Sequence, residues 1–299
     1  MKRIITIGII AVIILFPQIS FAGPVIFGGD DLTEHGFRDG GGANASGWFY
    51  IQTAIASLLA DVTRSGPFTV TIAALGSSDP GAGVFTAGDA GGAINSVANV
   101  LGLSLSFFDG DLSIESFFDD LGAGAINPKI LWIAGTDAAN DINFLEGQAL
   151  TNNANAIRDF VASGGAVMAH GFGINAYGWL PTLLPGVLEE PGCESEGAAL
   201  TAEGQTALPG LADSNIDDTV GLCHGHFEQD INGLSVYAFD GDELMYIIGG
   251  DLDCRALGVD CPDVVKTAIP EPATMTLFGL GLAGIAVFRR YRPILSFCS

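Results

Sequence analysis

Lys129-Ile130-Leu131-Trp132-Ile133-Ala134-Gly135, followed downstream by Gly164-Gly165-Ala166-Val167-Met168-Ala169-His170-Gly171, carries the clearest structural signal in the sequence. Neither apolar run alternates with polar residues, as a strand with one wet face would. A short unbroken apolar run ending in glycine is the pattern of a strand buried on both faces of a parallel sheet. Between the two runs, residues 143–162 carry Leu145, Ala149, Ala156, Ile157, Phe160 and Val161 at helical spacing. Gly164-Gly165 stops that helix, so the segment reads strand, helix, strand.

Working outward, the same alternation continues towards the N-terminus. Val25-Ile26-Phe27 reads as a strand that ends at Gly28-Gly29-Asp30-Asp31. Residues 48–62 place Trp48, Ile51, Ile55, Leu58, Leu59 and Val62 on one helical face. Strands are predicted over 68–72 and 103–107, and helices over 93–101 and 114–121. Strand–helix alternation of this kind predicts an α/β fold, doubly wound around a mainly parallel sheet. After Pro185 the pattern weakens into Gly- and Asp-rich loops. A hairpin is predicted from 235–239 and 244–248, with Asp240-Gly241 as its turn signal. No internal repeat is evident. Ligands of doubly wound sheets bind beyond the C-terminal strand ends. That rule makes Asp30, Asp31, Thr136, Asp137 and His170 the residues of a candidate crevice, where carboxylates suit calcium or sugar hydroxyls.

Residues 130–173 resemble the class I glutamine amidotransferase-like superfamily, which implies a flavodoxin-like sheet. In that fold a strand with a terminal glycine precedes a long helix and a Gly-Gly, and a second strand enters a nucleophile elbow. Here the elbow position reads Met168-Ala169-His170-Gly171-Phe172-Gly173. Without cysteine or serine there is no thiolate or alkoxide to attack a carbonyl. The resemblance therefore implies the fold without the amidotransferase reaction, and the expectation leans away from an enzyme.

The ends of the 299-residue chain carry different information. Met1-Lys2-Arg3, an apolar run over 4–16 and Pro17-Gln18-Ile19-Ser20-Phe21-Ala22 form a signal peptide pattern with cleavage expected after Ala22. At the other end, Ile269-Pro270-Glu271-Pro272 leads into an apolar, glycine-bearing stretch over 273–288, then Arg289-Arg290-Tyr291-Arg292. Arginines favour the cytoplasmic side, so the intervening domain is placed outside. The Pro-Glu-Pro triplet, the apolar helix and the arginine cluster resemble the PEP-CTERM sorting signal of Gram-negative bacteria. That resemblance implies recognition by an exosortase, a membrane cysteine protease-transpeptidase, with cleavage near the triplet. It also implies an association with exopolysaccharide and biofilm. A simple tail anchor is the alternative.

Charge supports export and excludes one class of partner. Between residues 23 and 288 only Arg38, Arg64, Lys129, Arg158, Arg255 and Lys266 are basic, against all 34 acidic residues of the chain. Such a surface repels phosphate backbones, so nucleic acid is excluded as a partner. Cys193, Cys223, Cys254 and Cys261 in an exported domain predict two disulfides, with three pairings open. Cys254 with Cys261 is preferred, leaving Cys193 with Cys223.

His224-Gly225-His226-Phe227-Glu228 is the sharpest polar cluster. On an extended segment residues 224, 226 and 228 share a face, and two imidazoles with a carboxylate can ligate zinc. The domain division expected is a signal peptide at 1–22, an α/β domain at 23–190, and a loop-rich, disulfide-bearing continuation at 191–262. A linker at 263–272, a hydrophobic helix at 273–288 and a basic tail at 289–299 follow. The reading is a non-catalytic exported protein, anchored in the inner membrane with its domain in the periplasm, then released to the cell surface or matrix. Its partners are the export machinery, exosortase and exopolysaccharide, and no cofactor is expected beyond a calcium or zinc ion. The alternatives are a metal-dependent hydrolase using His224, His226 and Glu228, and a carbohydrate-binding module.

Overall fold

A computed structural model describes residues 21–135, 141–192, 196–217, 224–228, 230–253 and 257. In chain order the elements begin with β1 (Phe21–Gly28), β2 (Gly36–Arg38), β3 (Asn44–Ser46) and α1 (Gly47–Asp61). Next come β4 (Val70–Leu75), α2 (Ala90–Leu101), β5 (Leu105–Phe108), α3 (Asp111–Ala123) and β6 (Pro128–Ile133). Then follow α4 (Phe144–Asn152), α5 (Ala154–Ala162), β7 (Ala166–Ala169), α6 (Gly173–Tyr177) and α7 (Leu180–Leu183). The last are β8 (Leu188–Pro191), β9 (Ala199–Leu200), α8 (Ala202–Ala207), β10 (Gly225–Glu228), β11 (Ser235–Phe239) and β12 (Met245–Asp253).

These elements form an α/β architecture around one mixed sheet of ten strands, in the order β5-β4-β6-β7-β1-β12-β10-β8, with β11 and β9 branching from β12. The first five strands of that order are parallel throughout. Every residue of β7 and all of Ile130–Ile133 are buried, which is why their sequence reads as unbroken apolar runs. Helices α1 and α2 pack on each other, as do α3, α4 and α5. The connections from β1 to β4 and from β5 to β6 run in opposite directions along the sheet, and crossovers between parallel strands are right-handed as a rule. They therefore put the two groups of helices on opposite faces.

In the other half of the sheet β8 and β9 were not legible as strands. β12 pairs antiparallel with β1, β10 with β12, and β8 with β10. The boundary expected at residue 190 falls inside β8, so the region beyond it extends the same sheet. The predicted hairpin is β11 and β12, but its turn is wider than a two-residue loop. Asp240 Oδ1 accepts the N–H groups of Asp242 and Leu244, and the left-handed residue is Glu243 (φ 63°) rather than Gly241.

The single helix predicted over 143–162 is two helices. At Asn153 (φ −100°, ψ 15°) the chain leaves helical geometry, and its Nδ2 donates to Ala149 O at 2.9 Å. A side-chain amide that takes a backbone carbonyl competes with the helix ladder, which breaks it there. Gly164-Gly165 does more than stop α5. A Cβ on Gly23 would run into Gly165 O, and a Cβ on Gly165 into the Phe160 ring. The two glycines let β1 and the entry to β7 approach closely.

Ala22, the expected cleavage position, is buried in β1, whose pairing with β12 is irregular between Phe21 and Pro24 and regular from Pro24 onward. The body of the signal peptide, the sorting segment over 263–299 with its helix, and all five cysteines lie outside the described residues. Among the described residues no helix is long and apolar enough to cross a membrane.

Candidate functional site

Because β1 and β7 are parallel neighbours with Phe27 opposite Ala169, their C-terminal extensions run side by side. That register brings together Asp30 and His170, 140 residues apart in sequence. His170 Nδ1 lies 2.6 Å from Asp30 Oδ1, and both side chains are fully buried. Trp132, on β6 next to β7, donates its indole N–H to His170 Nε2 at 3.2 Å. An indole only donates, so Nε2 is the acceptor nitrogen and Nδ1 carries the proton given to Asp30. Asp30 Oδ1 also accepts the Leu32 N–H at 3.1 Å, and Gly171 N–H binds Asp30 O at 2.8 Å.

Tyr50 of α1 closes this knot, meeting the His170 ring edge-on at 6.1 Å. Burial, and then the charge of Asp30, pushes the hydroxyls of Tyr50, Tyr177 and Tyr246 well above the ordinary tyrosine range. Tyr177 donates its hydroxyl to Gly28 O at 2.8 Å and sits 3.0 Å from Ala169 O. Gly28 is obligatory here, since a Cβ would collide with Asp30 Oδ2. With both ring nitrogens engaged and no accessible surface, His170 is a structural tie between three parallel strands. It is not placed to accept a proton from a bound molecule.

Asp31, the next residue, faces a different set of groups. Its side chain is 3% exposed, and Oδ2 lies 3.4 Å from His35 Nε2 and 3.1 Å from His224 Nε2. Burial alone would raise this carboxyl, but the contacts with His224 and His35 outweigh it and hold the acid below its usual range. Phe172, just after His170, stacks on the His224 ring at 5.3 Å and 22°. Asp31, Glu34 and His35 each bring a ligand atom within 4.8 Å of the others.

The His-Gly-His-Phe-Glu segment is extended, as expected, over Gly225–Glu228. His226 Nδ1 lies 2.6 Å from Gly192 O and its Nε2 3.4 Å from Glu228 Oε1. His224 turns instead to Asp31. The structure thus brings Asp30 to His170, His226 to Glu228 and Asp31 to His224, while Asp137 lies outside the described residues. Gly225 is not a turn glycine: its missing Cβ makes room for Glu189 Oε1. Glu189 Oε2 accepts the Gly173 N–H at 2.7 Å, and burial, with the charge of Glu190 adding, lifts its pKa to about 7.

Sequence reasoning missed Glu34, His35 and Glu189. The first two carry a signal that was present: an acid, then an acid and an imidazole three and four residues later, the spacing that one helical turn brings to one side. Glu189 had none, because its burial depends on β10 arriving from elsewhere.

Fold and site together define an α/β domain built on a mixed sheet, and the sorting segment adds to that class. Residues 268–290 match the PEP-CTERM protein-sorting motif, so the chain carries the sorting signal of an exported, exosortase-targeted protein. No curated protein and no solved structure matches the chain.

Proposed function

We propose that this is a protein of the cell surface or extracellular matrix whose α/β domain acts by binding rather than by catalysis. Residues 273–288 hold it in the inner membrane, domain in the periplasm, until exosortase processes it. The sorting motif over 268–290 carries this reading. The strongly acidic composition between the two basic termini supports the orientation. The amidotransferase-like reading of the parallel half is supported by the β5-β4-β6-β7 order, which is the flavodoxin-like arrangement of four successive strands. The closed His170 knot, at the position where such enzymes carry a nucleophile, favours a binding role.

An exopolysaccharide partner is favoured by a groove of about 390 Å³ lined by Phe144, Gln148, Thr151, Asn152 and Asn175. Phe144 is 57% exposed, and an exposed aromatic face beside amides and a hydroxyl suits sugar rings, which offer C–H faces and hydroxyl edges. Sorting is tested by mass spectrometry of the mature protein. A new C-terminus close to Pro270-Glu271-Pro272 is expected, and an intact tail through Ser299 in exosortase-competent cells would overturn it.

A further inference from the structure

Asp31, Glu34 and His35 occupy one turn. The N–H groups of Glu34 and His35 both reach Asp31 O, at 3.0 and 3.3 Å, which is helical geometry over five residues. It stacks positions i, i+3 and i+4 on one side, so two carboxylates and an imidazole converge from a single short segment. All three ligand atoms fall within 4.8 Å of one another.

The separations within the cluster differ from those of an ordinary buried pair. His170 and Asp30 sit at 2.6 Å, where a charge-assisted hydrogen bond belongs, near or just below about 2.7–2.9 Å. His35 Nε2 stands 3.4 Å from Asp31 Oδ2. Ligands held about 2.0–2.1 Å from a tetrahedral zinc ion lie about 3.3 Å from each other, so the His35–Asp31 spacing is that of two ligands about one ion. A second, independent observation is the other oxygen of the same carboxylate. Asp31 Oδ1 is buried with no hydrogen-bond partner among the described residues, so one oxygen of this carboxylate keeps the lone pairs that a cation would take. Glu34 is exposed and the His35 side chain 23% exposed.

We propose that Asp31, Glu34 and His35 form a site for a divalent transition-metal ion, zinc being the best-fitting class, at the C-terminal end of β1. His224 fixes the shared Asp31 oxygen from a distant segment, as groups around a metal orient its ligands. An imidazole with carboxylates selects zinc and its neighbours over calcium, which takes oxygen ligands. The site is distinct from the His226–Glu228 pair on β10 and does not depend on the saccharide reading.

The test is equilibrium dialysis of the full chain in detergent, stripped with chelator and titrated with zinc chloride, with bound metal counted by mass spectrometry. One ion per chain is expected, with affinity lowered tenfold or more by His35→Ala and by Glu34→Gln, and unchanged by His226→Ala. Glu34 is on the surface, so its substitution reports on the metal without threatening the fold. Unfolding midpoints of the stripped variants confirm this. Absence of stoichiometric zinc, or zinc retained in both variants, or zinc lost in His226→Ala, would overturn the assignment.

Discussion

Replacing Glu189 by glutamine should stabilise the protein, and more so as pH rises. The Glu189 carboxyl is squeezed between Gly173 and Gly225. Oε2 accepts one N–H, while Oε1 is buried without a hydrogen-bond partner. Its pKa is pushed from 4.5 to about 7, by burial first and by Glu190 next, against the opposing help of Gly173 N–H and His226. The full shift corresponds to about 3.4 kcal/mol, and partial exposure to solvent reduces this to about 1–2 kcal/mol. The sign follows from proton counting. Between pH 4.5 and 7 the folded chain holds a proton that the unfolded chain has released, so this group's contribution to stability falls as pH rises through that window. Glutamine removes the charge and keeps an oxygen for Gly173 N–H. Urea unfolding at pH 4, 6 and 8 should therefore find wild type and Glu189→Gln alike at pH 4. At pH 8 the variant should be more stable by about 1–2 kcal/mol. An offset that does not change between pH 4 and 8, or a variant less stable at pH 8, would refute the reasoning.

Asp30→Ala should cost about 3–5 kcal/mol, because it strands the His170 and Leu32 N–H groups in the interior. Asp30→Asn keeps an acceptor for both and should cost less than half as much, measured by the same unfolding curves; equal losses would contradict the assigned tautomer of His170. Phe144→Ala should weaken binding to the organism's own exopolysaccharide at least tenfold without moving the unfolding midpoint, read by sedimentation of the protein with the polymer. Unchanged binding would remove the groove from consideration.

The parallel half of the fold was legible because its strands are buried on both faces and so announce themselves locally. Ile130–Ile133 and Ala166–Ala169 need no partner to be recognised. β8 is the opposite case: Leu188-Glu189-Glu190-Pro191 has no apolar alternation and is a strand only because Gly225–Glu228 pairs with it. The site was legible in its parts but not in its pairings. Asp30, Asp31, His170 and His224 were each visible as polar residues at strand ends or in a cluster. That Asp30 belongs to His170 follows from the register of β1 with β7, and that Asp31 belongs to His224 from the His224 and Gly225 N–H groups binding Gly29 O, which no local pattern encodes. Glu34 and His35 differ, since their i+3 and i+4 spacing after Asp31 is a local signal of the turn that the Glu34 and His35 N–H groups make on Asp31 O.

Asp30 and Asp31 are adjacent in sequence yet have opposite fates, and that divergence explains how the strand-end crevice is used. In an extended chain consecutive side chains point to opposite sides, so as β1 ends one carboxylate turns into the core and the other away from it. The inward one gives its Oδ1 to His170 and Leu32 and reaches Trp132 through His170, which ties β6, β7 and β1 together. The outward one meets Glu34, His35 and His224, two of them on its own turn and one from the antiparallel half of the sheet. The two adjacent carboxylates thus divide between a buried tie across three parallel strands and the proposed cation site at the end of β1.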